Sequence, residues 1–208
     1  MTDNGMTFNL MIAGVGGQGT VLASKLIATA AMKKGYNVRT TETIGMAQRG
    51  GSVVSHVRIG DNIFSPLIPL GKAHALIAFE PAEAVRQLPY LCREGSQAAC
   101  RLVVCNSAVF PSGAGASSYQ ADAMIDYLKA NVQNLFIADG QRLKDEGAGY
   151  LQITKALNVA ILGAAAQSGM FPFEAELLRD ALPEIVPSKF LEMNLKVFEL
   201  GKKILLRK

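Results

Sequence analysis

The sequence predicts an α/β protein: a layered, mostly parallel sheet that opens with a glycine-rich βαβ unit and closes in a helical C-terminal third. Three observations predict it. The apolar run Phe8–Ala13 leads directly into Gly14-Val-Gly16-Gly17-Gln18-Gly19 and then into apolar residues at helical spacing. Short apolar runs bounded by turn residues recur as far as Asp139. Beyond that point the apolar pattern has a helical period, so sheet and helix layers share one body. The chain has 208 residues, 50% of them hydrophobic and 18% charged. That is enough for one substantial core and too apolar for disorder. No repeat or low-complexity linker divides it, so one domain over residues 1–208 is expected, with an ordered core from about residue 8 to residue 201.

Taken in order, Phe8–Ala13 reads as a central strand. Thr20–Lys33 is a helix, with Leu22, Leu26, Ile27, Ala30 and Ala31 on its inner face. Gly35 stops it, and Tyr36–Thr43 is the next strand. Ile44–Gly51 is a loop, and Ser52–Ile59 alternates as a half-buried strand. Gly60-Asp61-Asn62 turns toward Ile63-Phe64-Ser65, which reads as the returning arm of a hairpin. Ala73–Phe79 is a buried strand, and Pro81 suits the first turn of a helix near Glu83–Tyr90. Arg101–Cys105 and Asn134–Asp139 are strands on either side of a helix at Ser118–Lys129. Leu151–Gln167 is apolar nearly all round and predicts a buried helix. Two amphipathic helices follow, Phe173–Leu182 and Ser188–Gly201, separated by Pro183 and Pro187.

Composition excludes several classes. The net charge is only +4 and the basic residues are scattered, apart from the tail Lys202, Lys203, Arg207 and Lys208. No basic run is interleaved with aromatics, so a nucleic-acid partner is not expected. No segment reaches the roughly 18 apolar residues of a membrane span, and the N-terminus does not read as a secretory leader. Cys92, Cys100 and Cys105 follow neither a metal-ligand nor a disulfide spacing, which fits a reducing, cytoplasmic setting. His56 and His74 stand alone, without carboxylates at ligand spacing, so no metal site is expected.

The glycines carry the chemistry. A helix N-terminus offers unpaired N–H groups and the positive end of aligned peptide dipoles, and glycines let an anion approach. Gly14, Gly16 and Gly19 satisfy G-x-G-x-x-G, and Glu42 sits at about the spacing of a ribose-binding acid. That combination supports a free-standing NAD- or nucleotide-binding protein. The bland alternative is that the glycines serve only tight strand–helix packing. No Lys-Ser or Lys-Thr follows them, which excludes a Walker A loop. Gln18 places a bulky polar side chain where a phosphate would stand. A second cluster, Gly45-Met-Ala-Gln-Arg49-Gly50-Gly51, offers one cation between permissive glycines, suited to clamp a carboxylate or phosphate or to hold a partner's acidic loop. Arg58 reads as a surface residue. Glu80 and Glu83 lie near a strand end where α/β ligands bind, and their plainer reading is a solvated helix start.

Together these segments resemble the gamma-type subunit of 2-oxoacid:ferredoxin oxidoreductases. The likeness rests on Gly14-Val-Gly-Gly-Gln-Gly19, Glu42-Thr-Ile-Gly-Met-Ala-Gln-Arg-Gly-Gly51, Ser65-Pro-Leu-Ile-Pro-Leu-Gly71, Phe79-Glu-Pro-Ala-Glu-Ala-Val-Arg86 and Asn158-Val-Ala-Ile-Leu-Gly163. It runs from about Asn9 to Gly201, and the wording of the second and third segments is most similar to the beta subunit of the indolepyruvate branch. The resemblance implies one subunit of a complex that oxidatively decarboxylates a 2-oxoacid, with arylpyruvates as substrates. Thiamine diphosphate, iron–sulfur clusters and coenzyme A are then expected in a large partner subunit or the complex, with ferredoxin as electron acceptor. No cofactor is expected on this chain alone, and an isolated copy is expected to be inactive and to self-associate. Gln18 and Arg49 are the expected catalytic side chains, with Gly14, Gly16, Gly17, Gly19, Gly50 and Gly51 as the expected cofactor-binding backbone of one active-site wall.

Overall fold

The computed structural model describes residues 7–44, 51–92, 100–105, 120–146 and 156–207. Seven strands form one sheet in the order β2-β3-β1-β4-β5-β6-β7. They are β1 (Thr7–Val15), β2 (Val38–Ile44), β3 (Ser52–Gly60), β4 (Ala75–Ala78), β5 (Arg101–Cys105), β6 (Asn134–Ala138) and β7 (Leu205–Arg207). The helices are α1 (Thr20–Lys33), α2 (Pro81–Gln87), α3 (Ala121–Asn131), α4 (Gly140–Glu146), α5 (Leu157–Gln167), α6 (Glu176–Ile185) and α7 (Ser188–Lys203).

The α/β class and the helical C-terminal region stand, but the sheet is mixed rather than mostly parallel. β1-β4, β4-β5 and β5-β6 pair parallel, whereas β2-β3, β3-β1 and β6-β7 pair antiparallel. β3 accounts for most of the difference. It lies between β1 and β2, with Val15 opposite Ser52 and Thr7 opposite Gly60. The opening unit is therefore not a βαβ unit of neighbouring strands, because α1 carries the chain past a slot that β3 later fills. The expected hairpin arm Ile63-Phe64-Ser65 is a loop, since both edges of β3 are already paired.

Alternation along the strands divides the core into two layers. Leu10, Ile12, Val57, Ile59, Ile77 and Val103 face α1, α5, α6 and α7. Met11, Ala13, Val54, Leu76, Leu102 and Val104 face α2 and α3. α5 is buried along nearly its whole length, as its all-round apolar sequence requires. It crosses α7 so closely that a Cβ on Gly163 would collide with the Phe198 carbonyl, and one on Gly201 with the Ala160 carbonyl.

Boundaries shift in physically interpretable ways. Pro183 lies inside α6 rather than after it; near a C-terminus the missing N–H forfeits only one helical bond. The basic tail continues α7 to Lys203 and then pairs as β7 with β6. The cysteines also depart from expectation, because Cys92 and Cys100 are joined by a disulfide.

Candidate functional site

Three segments meet at the carboxyl edge of the parallel strands. β1 ends in the glycine turn, β4 ends in Phe79-Glu80, and β3 begins at Gly51-Ser52. β1 and β4 are adjacent and parallel, yet α1 returns over the first face and α2 over the second. Connections that part in this way open a crevice at the strand ends, where ligands of open α/β sheets bind.

The turn is built by its own side chains. Gln18 Oε1 accepts from the Val15 amide at 2.7 Å, and the Gln18 amide donates to the Val15 carbonyl at 3.0 Å. Gln18 Nε2 donates to Glu80 Oε1. The Gly16 amide donates to the Gly51 carbonyl at 2.9 Å, which ties the turn to the end of the arginine segment. Two glycines are explained by close approach. A Cβ on Gly14 would sit 2.9 Å from both Gln18 Oε1 and Thr20 Cγ2, and one on Gly19 would strike Asn158 Nδ2. Gly17 differs: it is exposed, its φ is 98°, and nothing crowds its Cβ position. It is the part of the turn most open to a ligand or partner.

Glu80 and Glu83 are not a solvated helix start. They are 4% and 2% exposed. Glu83 accepts from Ser52 Oγ at 2.6 Å and from Arg86 Nη1 at 2.8 Å. Burial pushes the Glu80 carboxyl above its ordinary range; the Gln18 hydrogen bond and Arg86 oppose that rise, and the charge of Glu83 adds to it. Gln18, Ser52, Glu80, Glu83 and Arg86 thus form a polar latch across the turn, β3 and α2. A fully apolar strand running into Glu-Pro is the sequence signal for these buried carboxylates. For Asn158 the signal is one polar residue in an apolar helix.

Of the expected site residues, Gln18, Gly14, Gly16, Gly17, Gly19 and Gly51 gather at this edge. Arg49 and Gly50 lie outside the described residues, although Ile44 and Gly51 on their flanks end β2 and precede β3 at the same edge. Glu42 does not meet the glycine turn as a ribose-binding acid would. It accepts from Ser24 Oγ at 3.1 Å, and β3 holds its strand about 10 Å from β1. Arg58, expected at the surface, is half-buried and donates to Asn9 Oδ1 at 2.9 Å. Both histidines act as acceptors: His74 Nδ1 for the Asn9 amide and His56 Nδ1 for the Ile68 amide.

Among the described residues, no group of three or more His, Cys, Asp or Glu could hold a metal ion. An iron–sulfur cluster needs several free thiolates, whereas Cys92 and Cys100 are bonded to each other. The described side chains therefore do not fit a cluster. Also among the described residues, no helix is long and apolar enough to cross a membrane.

Known proteins agree with this architecture. The chain is 35% identical over 201 residues to indolepyruvate oxidoreductase subunit IorB of Pyrococcus horikoshii, covering 94% of this chain and 95% of the relative. It is 38% identical over 200 residues to the same subunit of Archaeoglobus fulgidus, covering 94% of each. Identity falls to 26% with the common gamma subunit of the pyruvate/ketoisovalerate oxidoreductases of Thermococcus kodakarensis, over 89% of this chain and 90% of the relative. The fold matches pyruvate oxidoreductase subunit PORC of Thermotoga maritima with TM-score 0.67 at 16% identity, covering 98% of this chain and 99% of that one. It also matches the 2-oxoglutarate:ferredoxin oxidoreductase of Magnetococcus marinus with TM-score 0.65 at 18% identity, covering 97% of this chain but only 31% of that one. Residues 9–204 match the family model described as pyruvate ferredoxin/flavodoxin oxidoreductase, and the chain belongs to that family.

Proposed function

We propose that this chain is the small, non-cluster-bearing subunit of an indolepyruvate-type 2-oxoacid:ferredoxin oxidoreductase. One observation carries the branch: identity is 35% and 38% with two indolepyruvate subunits over nearly the whole chain, against 26% with the pyruvate/ketoisovalerate subunit. The partner is a large subunit that holds thiamine diphosphate and the iron–sulfur clusters. The complex decarboxylates an arylpyruvate, transfers the acyl group to coenzyme A and passes electrons to ferredoxin. That chemistry favours a cytoplasmic location. The whole chain acts as one gamma-type domain, inactive by itself, and self-association is the competing fate of its uncovered surface.

In this reading the carboxyl edge is one wall of a shared active site. Gly17 and the start of α1 present backbone to the neighbouring subunit or its ligand. Gln18 holds the turn in shape, Gly14 and Gly19 let it close, and Gly16 and Gly51 fasten it to the arginine segment. Arg49, between Gly50 and the preceding residues, supplies the cation. A complete dinucleotide pocket is less favoured, because the turn uses the Val15, Gly16 and Gln18 amides internally and Glu42 stands two strands away from β1.

The test is reconstitution. Expressed with its large subunit, the chain should support arylpyruvate-dependent reduction of ferredoxin or a viologen. Full activity of the large subunit alone, or a pair that uses pyruvate but no arylpyruvate, would overturn the proposal. Arg49→Ala should lower turnover at least tenfold; unchanged turnover removes Arg49 from the site. Micromolar binding of NAD by the isolated chain, seen by calorimetry, would favour the nucleotide-binding alternative.

A further inference from the structure

At the opposite edge of the sheet, the connection from β3 to β4 holds three large apolar side chains in solvent. Phe64 is 95% exposed, Leu67 55% and Leu70 65%. Between Asp61 and Lys72 there is no charged residue. Three large apolar side chains exposed within one uncharged loop mark a contact surface.

The tip is braced rather than loose. Ile63 and Ile68 are buried on its inner side. Arg58 Nη1 donates to the Ser65 carbonyl at 2.7 Å. The Ile68 amide donates to His56 Nδ1 at 3.3 Å, and Asn9 Nδ2 donates to the Lys72 carbonyl at 2.8 Å. The Gly71 amide donates to the Pro89 carbonyl at 3.0 Å. Arg58, His56 and Asn9 thus fix a loop whose outer side chains, Phe64, Leu67 and Leu70, stand in solvent. A surface held in shape before it binds loses little freedom on binding, and such anchors carry most of an interface's energy.

We infer that the braced loop, with Phe64, Leu67 and Leu70 as anchors, docks into an apolar pocket on the large subunit of this chain's own oxidoreductase, an inference that rests on the subunit reading above. Two observations select that occupant. Three side chains present a few hundred Å², well under the roughly 800 Å² per partner of a stable interface, so two tips meeting would not hold a dimer; a larger partner must engulf the tip and add its own rim. Moreover, the same fold makes up 31% of the longer Magnetococcus marinus chain. A free-standing member needs surface contacts to stay with the rest of its enzyme.

The experiment titrates the purified large subunit with the free chain and with its Phe64→Ser/Leu70→Ser variant, and checks the stoichiometry by native mass. The variant should bind at least a hundredfold more weakly while its thermal midpoint stays within a few degrees of the unsubstituted chain. Tyr127→Ser, an exposed aromatic outside the loop, should bind within twofold. Should the variant fold poorly, hydrogen exchange on the unsubstituted pair decides: amides of residues 62–71 should gain protection on assembly. Affinity of the folded variant within twofold, or exchange unchanged across the loop, overturns the inference. So does a free chain that is dimeric, becomes monomeric on substitution and binds the large subunit undiminished, which would make a second copy the occupant. Failure of the unsubstituted chain to bind the large subunit at all would instead overturn the subunit reading beneath it.

Discussion

The two edges of the sheet use the same device for opposite ends. At the carboxyl edge, Gln18, Glu80, Glu83 and Ser52 turn inward and lock a glycine turn, so what faces outward is backbone. At the amino edge, Arg58, His56 and Asn9 turn inward and lock a loop, so what faces outward is Phe64, Leu67 and Leu70. In the proposals above, one edge admits something small or charged and the other enters something apolar. In both cases buried polar groups act as tie-bars. Satisfied, they define one geometry; with one partner removed, the survivor is stranded in a poor dielectric.

The sharpest way to separate the edges is through their glycines. Gly19 has φ 84° and Asn158 against its Cβ position, whereas Gly71 has φ 69° and open space. Gly19→Ala should therefore cost about 2–4 kcal/mol, backbone strain plus overpacking, seen as a thermal midpoint lower by roughly 5–15 °C. Adding Asn158→Ala should recover the overpacking part only. Gly71→Ala should cost about 1–2 kcal/mol, from conformation alone. Equal losses at both positions would dissolve the distinction.

Removing a tie-bar comes next. Gln18→Ala strands the Val15 amide and Glu80, and should cost about 1–3 kcal/mol in chemical denaturation and lower turnover of the complex, while weakening large-subunit affinity less than Arg58→Ala does. Arg58→Ala should cost a similar amount but also weaken that affinity, because it frees the docking loop. If Gln18→Ala weakens assembly as much as Arg58→Ala does, the edges are not functionally distinct.

The smallest effect is in pH dependence, where the edges should differ in sign. Burial lowers the pKa of His56; burial and then the nearby Lys72 lower that of His74. The unfolded chain thus binds protons near pH 6.5 that the folded one refuses, and stability falls as pH drops through that value toward the folded pKa values. Glu80 is raised, so its contribution is full below about pH 4.5 and is lost as pH rises through the folded value. Denaturation between pH 5 and 8 should show His56→Asn flattening the acid limb and Glu80→Gln raising relative stability toward neutral pH. Each step is worth about 1.4 kcal/mol per pKa unit. Parallel changes in the two variants would break the contrast.

Much of the layering was legible in the residues. The apolar run before Gly14, the helical spacing from Thr20 and the all-round apolar Leu151–Gln167 are local signals, and local signals place elements. Pairing is not local. Alternation identifies Ser52–Ile59 as a strand but cannot tell that it inserts between β1 and β2, so the residues alone predict a mostly parallel sheet. α4 carries one local signal, Asp139, whose Oδ1 accepts from the Gln141 and Arg142 amides as a helix cap does. β7 is only three residues long and hides in a basic tail. In the site, the glycine turn was visible because glycine spacing is a backbone requirement. For the burial of Glu80 and Glu83 the residues offer only the apolar strand that runs into Glu-Pro, because the donors Gln18 and Ser52 that make that burial tolerable are distant in the chain.

The slot beside β1 has a further consequence for how the chain comes to be folded. Its occupant, β3, is made only after α1 and β2 have already emerged. Until Gly60 is synthesised, that edge of β1 exposes a row of unpaired amides and carbonyls beside the apolar residues Leu10–Ala13. Such an edge is a template for association with other chains. The nascent protein therefore carries that open edge at least until β3 is complete, and closing the slot is a nonlocal event of the kind that slows folding.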